Sequence, residues 1–379
     1  MKGTPTWLRA QNDRTAFRLL LEHGPLSRSQ LGELSGLSKP TAGQMIARLE
    51  RVGLIGPAGE ITGARGPNAV SYGVRRDALT GVAVSILADR IQSVLVDPTD
   101  ADHPVAELAT AGLDRSPAHD VRAAVRAACA AAQVPLDSVS AVTVGVQAAV
   151  DAAGDELSFT DTLPGWPQRG ARALIESATG LDVTLENDVN LATMAERSAA
   201  GIDTDFVHLW LGDGIGAGLC LGGSVHRGWA GGAGELGYLE VPRSAAAIEP
   251  VAVDLTDLAG SPGVLAVLGA APDERLASVL HRLGDDPDAL AAVAERVAVV
   301  LQPVLALLAP PCIVLGGPTS AAGGAPLAAL VARRLGLSGD RVRPTGVAGP
   351  PGPVLLGART LLVGGLRASL EEQIVEEIA

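Results

Sequence analysis

Two groups of side chains in this 379-residue chain have the types and spacing to do chemistry. The first joins Asn187 and Asp188, adjacent in Glu186-Asn187-Asp188-Val189-Asn190, to Glu235, which stands in Gly234-Glu235-Leu236-Gly237-Tyr238. An amide and two carboxylates suit a polyol, because they accept hydrogen bonds from adjacent hydroxyls. A plainer role is open to each. Asn187 or Asp188 can cap the helix that follows, and Glu235 can merely solvate its loop. Between the two segments lie Gly212, Gly214, Gly216 and Gly218, read as one turn between strands at 206–211 and 219–221. Glycine at that density permits positive φ and close approach of a ligand to the backbone. Successive N–H groups in such a turn can form an anion-binding nest. The second group is Lys39, Thr41, Gln44 and Arg48, with Arg65 beside Gly66-Pro67 further on. Gln pairs bidentately with adenine, while Thr and Lys suit phosphates or base edges. An Arg in an extended Gly/Pro arm suits a narrow minor groove.

The elements that must position these residues fall into two parts. At the start, Phe17, Leu20 and Leu21 predict a helix over 11–23, which Gly24-Pro25 ends. Ser27 and Gln30 form a capping-box pattern opening a helix at 29–34, with Gly36 as its stop. Ser38 caps a third helix that tolerates Pro40 in its first turn and turns Met45, Ile46, Leu49 and Val52 inward. Lys39, Thr41, Gln44 and Arg48 then face outward. Helix, short glycine turn, helix is the helix-turn-helix pattern, and the polar segment 56–73 reads as a wing hairpin holding Arg65. A three-helix packing module that never meets DNA is the bland alternative. From Leu79 the texture becomes Ala/Val-rich α/β. Strands are expected at 81–87, 91–96, 141–147, 182–185 and 312–315. Helices are expected at 117–133, 171–179, 191–200, 264–268, 273–283, 288–308, 326–336 and 354–374, the last interrupted at Gly364-Gly365. Two α/β halves of similar order suit a duplicated fold with a cleft between its lobes. Trp166 is read either as lining that cleft or as core.

Composition limits the remaining choices. Apolar residues make up 47% and aromatic residues 2%, so the core must be Ala, Val and Leu. The three cysteines, Cys129, Cys220 and Cys312, lie far apart in apolar runs. They make neither a disulfide framework nor a metal spacing, which fits a reducing cytosol. The polar start argues against a signal peptide, and the apolar run 297–309 is too short to span a bilayer. The net charge of −13 hides an asymmetry: residues 1–76 carry eleven Lys/Arg against five Asp/Glu, and the remainder 18 against 37. Only the N-terminal part has the charge to meet nucleic acid.

Taken together, PLSRSQLGELSGLSKPT, RLERVGLI, VGVQAAVD, LPGW, ENDVN, GDGIGAG, GAGELGY and IVLGGP resemble the ROK family (repressors, open reading frames, kinases), in particular its transcriptional regulators. The resemblance implies a winged helix-turn-helix over 1–76 and a two-lobed actin-like ATPase (sugar kinase) fold over 77–379. It further implies sugar binding in the cleft, homodimers or higher oligomers, and control of carbohydrate genes through a double-stranded DNA operator. Asp188 matches the family's catalytic base, and Asn187 and Glu235 match sugar ligands. Gly316-Gly317 matches the adenosine loop, although Gly-Gly after a buried strand is often only a tight turn. Departures from the kinase pattern shape the expected function. The first hairpin, where kinases use Gly-Gly-Thr to cradle phosphates, has no glycine between Val82 and Val96 and places Asp89 near its turn. Asp213 stands where the kinases usually have Thr, either opposing a polyphosphate or simply forming the turn. Tyr238 stands at the family's zinc-binding His, and 239–251 contains no Cys or His, so no metal is expected. Gln147-Ala148 replaces the usual Pro-Gly. The expectation is a cytoplasmic DNA-binding regulator, a repressor rather than an enzyme, with a sugar-sensing domain, no cofactor and no membrane association. The alternatives are an active sugar kinase with a DNA-binding appendage, and a regulator whose pocket serves dimerisation or another metabolite.

Overall fold

The computed structural model describes residues 5–61, 69–110, 115–159, 163–271, 274–347 and 349–378. The N-terminal module comprises α1 (Pro5–His23), β1 (Leu26–Ser27), α2 (Arg28–Ser35), α3 (Lys39–Arg51), β2 (Ile55–Ile61) and β3 (Ala69–Val74). The capping box forms as spacing dictates. Gln30 N donates to Ser27 Oγ at 3.3 Å, and Ser27 N donates to Gln30 Oε1 at 2.9 Å. Gly36 closes α2 at φ 69°, a left-handed position that costs glycine nothing. Phe17, Leu31, Met45, Ile46 and Leu49 are completely buried where the three helices meet, and the β2–β3 hairpin follows directly.

Next comes the first α/β lobe: β4 (Thr80–Ile86), β5 (Arg90–Val96), β6 (Val105–Ala109), α4 (Pro117–Ala132), β7 (Val139–Val146), β8 (Ala149–Asp151), β9 (Glu156–Ser158), α5 (Ala171–Thr179), β10 (Asp182–Asn187) and α6 (Asp188–Ala200). The second lobe holds β11 (Phe206–Leu211), β12 (Ile215–Leu221), β13 (Ser224–Val225), α7 (Leu255–Ala259), α8 (Ser261–Val267), α9 (Leu276–Val279), α10 (Pro287–Leu308), β14 (Cys312–Gly316), α11 (Gly317–Arg334) and β15 (Val342–Pro344). α12 (Pro353–Ile378) then returns to the first lobe. The sheet orders are β10-β7-β4-β5-β6 and β13-β12-β11-β14-β15. Counted within each lobe, both read 3-2-1-4-5, with the first three strands antiparallel and the last two parallel additions. The duplication expected from the order of elements is therefore real. β4 is buried on both faces, as its unbroken apolar run requires. Val82 and Val84 face α4 and α5, while Ala83 faces α12.

Several elements differ from expectation. Gly216 and Gly218 belong to β12 and not to the turn, because α6 lies directly on that strand. A Cβ on Gly218 would come within 1.8 Å of Thr193 Oγ1, and one on Gly216 within 3.1 Å of Val189. α12 runs unbroken through Gly364-Gly365. α10 spans 22 residues and is long and apolar enough, by length and composition alone, to cross a membrane. Its Val293, Val297, Val300 and Leu301 are instead buried in the core of the second lobe. Trp166 is core, with its indole N–H donating to Asp120 at 2.9 Å. The two parts of the chain are also less separable than composition implied. Leu370 and Ile374 of α12 complete the N-terminal module's core, and Glu371 accepts from Arg14 at 2.9 Å and from Arg18 at 2.5 Å.

Candidate functional site

β10 ends at Asn187 and α6 begins at Asp188, so both side chains stand at a strand-to-helix junction beside the second lobe. Asn187 does cap the helix: its Oδ1 accepts from Asn190 N at 3.0 Å. Its Nδ2 donates to Ala148 O at 3.0 Å, tying α6 to the segment between β7 and β8. Asp188 is buried, and its Oδ1 accepts from Val189 N at 2.8 Å. Burial, reinforced by the nearby Glu235 carboxylate, pushes the Asp188 carboxyl up to about 7. Glu235 is half-buried, and burial raises its carboxyl as well. Gly234 brings Glu235 there. It sits at φ 94°, and a Cβ on it would come within 1.7 Å of Ala217 O. No other residue lets the loop approach β12 so closely. The result is two carboxyl groups near enough for the charge of one to raise the other, both pushed toward the protonated form by burial.

Three participants escaped sequence reasoning. Glu186 is buried and accepts from Asn190 Nδ2 at 3.0 Å, Asn187 N at 3.1 Å and Arg227 Nε at 2.6 Å. Arg227 thereby pins the glycine loop to the junction. It is the only Lys or Arg between residues 198 and 242, a signal that was available. Phe159, just past β9, stacks on Tyr238 with ring centroids 4.2 Å apart. Nothing in the local sequence marks that contact.

The β4–β5 turn carries side chains at every position. Ala88 and Asp89 are exposed, and Asp89 pairs with Arg90 at 3.0 Å. The turn's carbonyls are occupied, Ala88 O by Thr110 Oγ1 at 2.9 Å and Asp89 O by Thr110 N at 3.0 Å. Asp213 is exposed at the tip of the β11–β12 turn. Packing alone explains the two glycines where β14 passes into α11. A Cβ on Gly316 would meet His208 Nε2 at 1.9 Å, and one on Gly317 would meet Leu211 O at 2.4 Å. His208 itself is buried, which lowers its pKa to about 4 and keeps the ring neutral. Among the described residues, no three His, Cys, Asp or Glu stand together as metal ligands.

In the N-terminal module, Lys39 and Gln44 are exposed on α3. Thr41 is half-buried, its hydroxyl 2.9 Å from that of Ser38. Arg48 does not face outward as its spacing predicted. Both of its terminal bonds go to the buried Asp13 of α1, at 2.7 Å each. A buried carboxylate must be paired, and that need takes the guanidinium. Arg65 lies outside the described residues.

Two lobes of one topology, closing on Asp188 from one side and Glu235 from the other, define a sugar-kinase-like α/β fold. The chain belongs to the ROK family, whose sequence pattern matches residues 107–336. Over 97% of its length it superposes on 99% of a solved ROK family transcriptional regulator, described as a homologue of the E. coli MLC protein, with TM-score 0.69 and 18% identity. It is 21% identical over 251 residues to the xylose repressor of Bacillus subtilis (strain 168), spanning 62% of both chains. A shorter stretch of 67 residues is 45% identical to the beta-glucoside kinase of Listeria innocua, covering 17% of this chain and 23% of that one.

Proposed function

We propose that the chain is a DNA-binding transcriptional regulator, a repressor of carbohydrate-related genes, whose kinase-like lobes sense a sugar or sugar derivative without phosphorylating it. The observation that carries this reading is the joining of a sugar-kinase-like cleft to a separate three-helix and hairpin module through α12. Residues 1–76 act as a winged helix-turn-helix on a double-stranded DNA operator. α3 presents Lys39, Thr41 and Gln44, Arg65 is assigned to the minor groove, and Arg48 braces α3 through Asp13. In the cleft, Asp188 and Glu235 accept sugar hydroxyls, and Asn187 holds the wall. The protein works in the cytoplasm as a homodimer or higher homo-oligomer, without a cofactor. The similarity to a xylose repressor and to a ROK transcriptional regulator supports the regulatory role.

The absence of phosphorylation rests on positioning. Phosphoryl transfer depends on holding the nucleotide in line and neutralising its charge. The side-chain-bearing β4–β5 turn offers no cradle, and Asp213 opposes a phosphate by roughly 4 kcal/mol per charge pair at 4 Å and an effective dielectric near 20. One observation favours a second reading, an active sugar kinase: an Asp188 carboxyl near 7 is poised as a general base. A coupled ADP-release assay across a monosaccharide panel decides between them. No turnover above the sugar-free rate is expected, and sugar-dependent ADP release replaces the regulator-only reading with a kinase.

A further inference from the structure

The chain has three Phe, two Tyr and four Trp. Phe17, Phe206, Tyr72 and Trp166 are spent in cores. Phe159 and Tyr238 are not: they stack on one another while remaining 42% and 50% exposed. They come from opposite lobes. Phe159 follows Ser158, which pairs with Ala149 next to the Ala148 carbonyl that receives Asn187. Tyr238 ends the short helical turn that Glu235 opens. The aromatic pair is therefore linked through the β8–β9 hairpin to the segment that Asn187 holds, and through one helical turn to Glu235. Phe159 also sits at φ 59°, a region that bulky side chains rarely adopt and that persists where surroundings impose it. Exposed stacked rings held in this way offer a surface to which a third ring can be added. A few polar groups together with aromatic faces are the composition of an amphipathic small-molecule site.

We propose that Phe159 and Tyr238 form a stacking subsite that takes the second ring of a two-ring glycoside, whose first ring meets Asp188 and Glu235. This rests on the sugar-sensing reading above. The shared chemistry is a ring with an apolar face, which either a second pyranose or an aryl group supplies. The test is calorimetric titration of the full chain with glucose, xylose and N-acetylglucosamine. Each is set beside its phenyl β-glycoside and its β-1,4-linked disaccharide. For the sugar that binds, a two-ring form should bind about tenfold tighter than the monosaccharide. If both two-ring forms gain, any ring with an apolar face suffices. A gain by the disaccharide alone identifies a second sugar, and a gain by the phenyl glycoside alone an aryl group. The two-ring to one-ring affinity ratio should fall to about one in Tyr238→Ala and in Phe159→Gly. The glycine variant accepts the positive φ, and Tyr238→Leu keeps bulk without a stacking face. A wild-type ratio near one, or a ratio that survives all three substitutions, overturns the subsite and leaves sugar sensing standing. Absence of binding by every probe overturns both.

Discussion

Asp188 has an acid's side chain in a place that penalises its charge. Its carboxyl is raised from 3.8 to about 7, first by burial and then by Glu235. Between those values the folded chain holds a proton that the unfolded chain has lost. Its contribution to stability is full below pH 4, falls as pH rises toward 7 and is flat beyond, with a total loss of roughly 4 kcal/mol at most. Asp188→Asn removes that titration. Thermal melts of variant and wild type should coincide near pH 4 and separate toward neutral pH, with the variant the more stable above pH 7. A separation that does not depend on pH would show that Asp188 is not the group under strain. If Asp188 contacts the sugar as proposed, the same variant should reduce the ligand response of operator binding, because an ionisable acceptor has become a neutral amide. Asp188 and Glu235 stand out in sequence as candidates because each sits in a short motif, ENDVN and GELGY. Arg48 was misread because its partner, Asp13, lies 35 residues away on another helix, and helical spacing alone shows only which side a residue leaves from.

Elements were legible where a local rule decides them and illegible where a distant neighbour does. The capping box at Ser27, the stop at Gly36 and the strand at 206–211 follow from nearby residues. The extent of β12 depends on α6 lying across Gly216 and Gly218. The continuity of α12 through Gly364-Gly365 overrides a propensity cost of about 1 kcal/mol per glycine. α12 packs on the first lobe at Leu355, Ala358 and Leu362 and then enters the N-terminal core at Leu370 and Ile374. Leu370→Ala should therefore destabilise the N-terminal module by about 2–5 kcal/mol. It should also weaken operator binding, although it is remote from α3 in sequence. Glu371→Ala removes two ion pairs whose arginines are 32% and 56% exposed, and should cost no more than about 1 kcal/mol. Melting and gel-shift measurements on the two variants test the ranking. Equal effects would mean that α12 is tethered by charge and not by its apolar face.

At the scale of the whole molecule, charge and path meet. α6 starts at Asp188, and Leu191 one turn later presents its carbonyl so close to Gly357 that a Cβ there would come within 1.9 Å. From Gly357, α12 runs to the N-terminal core, so a ligand that favours one arrangement of the lobes has a packed route to α3. Four of the eleven N-terminal basic side chains are already committed to carboxylates: Arg48 to Asp13, Arg14 and Arg18 to Glu371, and Arg75 to Asp77. The rest of the chain, with 18 basic against 37 acidic residues, repels DNA. Operator affinity should thus come from a few phosphate contacts in each protomer. A dimer making four such contacts loses roughly a hundredfold between 50 and 200 mM salt. Deleting residues 1–76 would uncover Leu370 and Ile374, so the informative variants are full-length. Lys39→Glu should weaken binding to all sequences and flatten the salt slope by about one unit per protomer. Gln44→Ala should leave the slope unchanged and lose discrimination at one base pair in each half-site. On a two-fold-related operator both changes act twice, and footprinting should show two equal half-sites. An asymmetric single footprint, or a Lys39→Glu protein with wild-type salt dependence, would remove α3 from the DNA interface.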